Sequence, residues 1–173
     1  MNELLLLALL LFSETKNLDD ARGIANLVLN RMKKPERFGN NLNEVIFAPS
    51  QFSGVGSDEW NKVVNNKLTK DDEKIFKEMI LISSQALKGQ LEDNTGGADH
   101  YVNLKKSQPS WSKVYKKTGQ IDNHTYFLEV PEKPKRKYSK PLSFNDTFKQ
   151  AVDQGLTEFE WRGKKYTTEV KYP

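Results

Sequence analysis

The chain has 173 residues, 36% apolar and 29% charged, which describes a soluble globular protein of one ordinary domain plus an appendage. It contains no cysteine, which excludes a disulfide framework, a thiolate metal site and a cysteine nucleophile. The 27 basic and 23 acidic residues leave a net charge of +4, a mild preference for anionic surfaces such as cell-wall polymer or nucleic acid.

Leu4 to Phe12 is an unbroken apolar run. Glu3 stands in front of it, no Lys or Arg precedes it and no small-x-small cleavage site follows, so it does not read as a signal peptide. It is also too short to span a bilayer. Its composition predicts a first helix, capped by Asn2 and apolar on every side, hence buried. A second helix is expected from Leu18 to Lys33, with Asn17 as cap and a stripe of Ala21, Ile24, Ala25, Val28 and Met32; Pro35 stops it. An Asn-rich connection from Gly39 leads through Val45, Ile46 and Phe47 to Gln51-Phe52-Ser53. Thr69 and Asp72 then open a third long helix, with Ile75, Phe76, Met79, Ile80, Ser83, Ala86 and Leu87 on one face and Gly89 as its stop.

Beyond Gly89 the pattern breaks into loops carrying His100, Tyr101, Trp111, His124, Tyr126 and Phe127, with a short hairpin expected near Ala98 to Asn103 and His124 to Val130. Pro131 to Pro141 holds three prolines and five basic residues, which favours an extended linker. In the tail, Phe144, Phe148, Ala151 and Val152 share a helix face that Gly155 ends. Phe159, Trp161, Tyr166, Thr168, Val170 and Tyr172 then alternate around Arg162-Gly163 as in a β-hairpin. About 30 residues lack the area for an independent core, so the aromatics of this tail are expected to present a partner surface. The division is thus 1–130, a linker at 131–141, and a helix–hairpin module at 142–173.

Glu14 is the candidate for chemistry. It stands where a buried apolar helix meets a polar loop, a place where desolvation favours a protonated carboxyl while one side stays open to substrate. Taken alone, it reads more readily as a solvated helix-end glutamate, and the rest of the chain is what shifts the reading. A conventional glycosidase needs a second carboxylate about 5 Å away if retaining or about 6.5–9.5 Å away if inverting. Asp19 and Asp20 read as first-turn dipole residues of the second helix, and Asp99 and Asp122 remain open. His100 and His124 are the chain's two histidines, with no His-Glu-x-x-His, so neither a metal nor another cofactor is expected. No Gly-x-Ser-x-Gly turn supports a serine hydrolase.

Ser13-Glu14-Thr15 followed by Asp20 to Arg31, ending Val28-Leu29-Asn30-Arg31, resembles the start of the spore-cortex-lytic-type (SleB-like) cell wall hydrolases. Gln51-Phe52-Ser53, Gly97-Ala98-Asp99-His100-Tyr101, Pro109-Ser110-Trp111 and Ile121 to Phe127 are similar to that family's later elements, in the same order. The resemblance covers about Asn2 to Phe127. It implies a mainly α, lysozyme- or transglycosylase-like α+β catalytic domain, followed here by the helix–hairpin tail. It also implies cleavage of the MurNAc–GlcNAc bond of peptidoglycan with Glu14 as the single acid and base, releasing a 1,6-anhydro sugar. Gln51, Ser53, Tyr101 and Tyr126 are expected to bond the sugars, Phe52 or Trp111 to offer a flat face, and His100 and His124 to orient substrate.

Two departures stand out. Asp122 replaces a glycine of the family block, which is expected to alter the backbone before His124. Lys16 and Asn17 stand where a second acidic residue often follows the catalytic turn. The tail also resembles a short module that recurs at the ends of tailed-phage proteins. It implies a virion-associated enzyme whose residues 142–173 bind another particle protein and which is made in the host cytoplasm without a signal peptide. A catalytically inactive virion or wall-binding protein and a hydrolytic muramidase are the alternatives. A nucleic-acid role ranks last, because the basic run contains one aromatic, Tyr138.

Overall fold

The computed structural model describes residues 2–130 and 143–169, so the expected linker, Val170 and Tyr172 lie outside the described residues. The chain divides into two compact units, 1–131 and 132–173. In the first unit α1 (Glu3–Glu14) is the central rod. Asn2 caps it by accepting from the Leu5 amide, and Leu6 to Phe12 are buried without interruption. Each fully buried Leu contributes roughly 1.5–3 kcal/mol, which explains why an all-apolar segment forms an interior helix. α6 (Lys70–Leu87) packs against it most extensively, and α2 (Leu18–Met32), α4 (Leu42–Phe47) and α5 (Asp58–Val64) complete its surroundings. α2 starts at Asn17, whose side chain accepts from the Asp19 and Asp20 amides; α6 starts with a full Thr69–Asp72 capping box.

Three short helices interrupt what the sequence presents as plain connections. Pro35 ends α2 and also serves as the first residue of α3 (Pro35–Phe38), where its missing N–H costs nothing. α4 and α5 are capped by Asn41 and Ser57.

After Gly89 a three-stranded antiparallel sheet forms in the order β1 (His100–Val102), β3 (His124–Leu128), β2 (Lys116–Ile121). The expected pairing of the first and last strands is present, but β2 intervenes in sequence and hairpins onto β3. Asp122 sits in that hairpin turn at φ 49. The left-handed conformation a glycine would supply is therefore kept by an aspartate, one of the few side chains that tolerate it. Gly23 is where α2 meets the sheet: a Cβ there would lie 2.5 Å from the Tyr126 hydroxyl.

In the second unit α7 (Phe144–Asp153) and the hairpin β4 (Glu158–Trp161)–β5 (Lys164–Thr167) turn through Arg162 and Gly163, both at positive φ. Of the aromatics expected to present a partner surface, Phe144, Phe148, Trp161 and Tyr166 are half-buried. Phe144 packs on Phe148, Phe159, Trp161 and Tyr166 with ring centroids 5.0–6.5 Å apart, and Phe159 is buried. Ring-on-ring contact gives this small unit an interior of its own. Among the described residues, no helix is long and apolar enough to cross a membrane.

Candidate active site

Glu14 is the last residue of α1 and half-buried. Its carboxylate accepts from the Gly54 amide, from the Tyr101 hydroxyl at 2.9 Å and from the Ser53 hydroxyl at 3.5 Å. Gly54 is required by this approach: a Cβ would fall 2.4 Å from Ser13 Oγ and 2.9 Å from Glu14 Oε1. The two hydroxyls can donate to the ionised acid or accept from the protonated one, so both states find partners. Burial, reinforced by the adjacent Glu14 charge, holds the Tyr101 phenol well above its ordinary pKa, and it stays a donor.

A cavity of about 810 Å³ opens over this carboxylate, lined by Gln51, Ser53, Gly54, Tyr101, Lys106 and His124 among others. A second, of about 320 Å³, is lined by Glu14, Lys16, Asp122 and His124. Glu14 and His124 belong to both, so the carboxyl stands where the two meet. Asp58 and Glu59 also line the larger cavity, but Glu59 is held by Lys16 and Lys62.

The structure separates the remaining expected site residues by strand face. Tyr101 pairs with Tyr126 and His100 with Phe127, so each pair shares a side of the sheet. Tyr101 looks toward Glu14. His100 looks the other way, into a cluster with Phe38, Trp111 and Tyr115, and Trp111 also packs on Phe127. Neither His100 nor Trp111 lines the two cavities around Glu14. Phe52 is 6% exposed, packed near Tyr101 and under the Arg31 guanidinium, and so belongs to the core. Tyr126 is fully buried beneath Tyr101.

Asp20 departs most from its sequence reading. It is fully buried, and its carboxylate binds His124 Nδ1 at 2.8 Å and accepts from the Tyr126 hydroxyl at 2.8 Å. A dipole residue of a first helical turn would face solvent, as Asp19 does. Burial, with the Asp20 charge beside it, pushes the Tyr126 phenol far up, which keeps that donor protonated.

Behind the site, α2 ties down the loop that delivers β1. Asn26 donates to the Glu92 carbonyl, Asn30 to Asp93 and the Ala98 carbonyl, and Arg31 Nε to the Asp99 carbonyl at 2.7 Å. Arg31 lies over the Phe38 and Phe52 rings at 5.1 and 4.9 Å, and its burial lowers the guanidinium to about 10. Asp99, His100 and Glu129 bring possible metal-ligand atoms within 4.8 Å of one another. Their charges are already met: Asp99 pairs with Lys34 and His100, and Glu129 with Arg37 and Tyr115. Burial alone would raise the Asp99 carboxyl, but these partners and the Glu129 amide hold it well below the usual carboxylate range.

A family model described as Cell Wall Hydrolase matches residues 17–127. The chain belongs to the cell wall hydrolase family. As a cell wall hydrolase it is a peptidoglycan-degrading enzyme. Glu14 lies just ahead of the matched span. The structure is similar to the catalytic domain of the germination-specific lytic transglycosylase SleB from Bacillus anthracis, with a TM-score of 0.51 and 22% identity over 73% of this chain and 94% of that one. It is also similar to the catalytic domain of the Bacillus cereus SleB protein, with a TM-score of 0.55 and 22% identity over 72% and 88%. This cell wall hydrolase therefore has the expected mainly α, lysozyme-like α+β fold. No curated protein matches the chain.

Proposed function

We propose that this enzyme cleaves the MurNAc–GlcNAc bond as a lytic transglycosylase, with Glu14 as its one acid and base. The supporting observation is the Glu14 carboxyl at the junction of two cavities, held by the Gly54 amide and two reversible hydroxyls. Protonated Glu14 gives its proton to the glycosidic oxygen as the C1–O bond breaks. The carboxylate then removes the proton of the muramoyl 6-hydroxyl as that oxygen bonds C1, closing the 1,6-anhydro ring without consuming water. The likeness to a protein named a lytic transglycosylase supports the same reading.

Asp58 in the larger cavity keeps a hydrolytic muramidase as the second reading, since a second carboxylate there could serve water attack. Mass spectrometry of digested sacculi separates them: anhydro-muramoyl ends support transglycosylation, reducing ends support hydrolysis, and no products leave an inactive scaffold. In the same assay Glu14→Gln should lose roughly 10²–10⁴-fold in rate, because the amide keeps the shape but carries no exchangeable acid.

The tail's resemblance to phage-protein ends and its separation as a compact unit support an enzyme carried on a phage particle through residues 142–173. A chain ending at Pro141 should still cleave peptidoglycan but no longer co-purify with virions. A truncated chain that stays on particles would remove the anchor.

A further inference from the structure

We propose that Asp20 is a positioning residue for catalysis, acting through His124, which it fixes so that Nε2 accepts a hydrogen bond from a sugar hydroxyl beside Glu14. The inference rests on the reading of Glu14 as the acid. A carboxylate as buried as Asp20 is costly unless its oxygens are met by donors. Here Oδ2 lies 2.8 Å from His124 Nδ1, and Oδ1 takes the Tyr126 hydroxyl at 2.8 Å. The Asp20 amide is itself capped by Asn17 at 3.0 Å, so the carboxylate sits in the positive first turn of α2.

An ionised carboxylate only accepts, so His124 must carry its proton on Nδ1. Nε2 is then the ring nitrogen left for the cavity, with a lone pair in the neutral imidazole. His124 lines both cavities that meet at Glu14, and its ring stands edge-on to Tyr101 at 4.9 Å. Two anchors thus serve one bond. Tyr101 holds the acid, and Asp20 sets the tautomer and angle of an acceptor facing the same sugar. Tyr126 fixes Asp20 in turn, and Gly23 gives its hydroxyl the room.

Nitrogen-15 NMR of the full-length protein reads the tautomer directly. The proposal requires His124 protonated at Nδ1 with an unprotonated Nε2 in the neutral form, and the opposite tautomer overturns it. On soluble peptidoglycan fragments, Asp20→Asn should lower kcat about 10–100-fold with KM little changed, the size of one lost hydrogen bond to a charged group. His124→Asn should cost a similar factor. The double variant should be no worse than His124→Asn alone, because Asp20 acts through that ring. Independent, multiplying losses, or full activity of a folded Asp20→Asn, would sink the idea. If Asp20→Asn does not fold, the wild-type tautomer and His124→Asn kinetics decide: full activity of His124→Asn overturns the proposal. Glu14→Gln in the same assay keeps the two readings apart. Activity there removes Glu14 as the acid, whereas an inactive Glu14→Gln beside a fully active Asp20→Asn removes only the role of Asp20.

Discussion

The Tyr101 hydroxyl donates to Glu14 Oε2 at 2.9 Å, across 87 positions of sequence. A strand of three residues thus fixes the carboxyl at the end of the first helix. Tyr101→Phe removes this donor and leaves the ring packing on Phe52 and Tyr126 in place. Activity should fall about tenfold, the usual worth of one charge-assisted bond, with a melting temperature close to wild type. Steady-state rates and a thermal melt check this.

Gly54→Ala tests the same carboxyl from the other side. The added methyl group must displace Ser13 or Glu14, and overpacking of this kind typically costs about 1–3 kcal/mol. Both stability and activity should drop, and activity further, since the amide bond to Glu14 is lost with the shift. A denaturant melt compared with the rate measures the difference.

The longer helices α1, α2, α6 and α7 were legible in the sequence because their signals are local, whereas the short α3, α4 and α5 were not. Asn2, Asn17 and Thr69 act as caps where expected, and the apolar run and stripes mark the core. β2 was not legible: Lys116-Lys117-Thr118-Gly119-Gln120-Ile121 lacks two-residue alternation, and its strand is specified by pairing to β3. The site was partly legible. Glu14, Gln51, Ser53, Tyr101 and His124 converge on the cavities. Adjacent residues of a strand point to opposite faces, so His100 and Tyr101 could not both face Glu14, a signal present in the sequence. The partnership of Asp20 with His124 spans 104 positions and left no local trace.

Asp99→Asn should destabilise the first unit by about 2–3 kcal/mol, because Lys34 and the half-buried His100 lose their charged partner. The folded-state carboxyl lies below its unfolded value of about 3.9. Its contribution is therefore complete above that pH and is lost as the pH falls below it. Melts of wild type and variant should differ at pH 6 and converge in acid.

Chelators should leave cleavage unchanged. The metal-like trio of Asp99, His100 and Glu129 is neutralised by Lys34 and Arg37, and a carboxyl acid needs no Lewis acid. Activity lost in EDTA and restored by a divalent cation would overturn this.

Leu6 to Phe12 of α1 are buried without a break, and the carboxyl proposed as catalytic is that helix's final residue. A site on a peripheral loop can open by local fraying while the domain stays folded. This one is attached to the segment whose amides should exchange with deuterium last, at the free energy of global unfolding. Heat inactivation and cooperative unfolding should then trace one curve, and the enzyme should pass from fully active to unfolded with no softened, partly active state between.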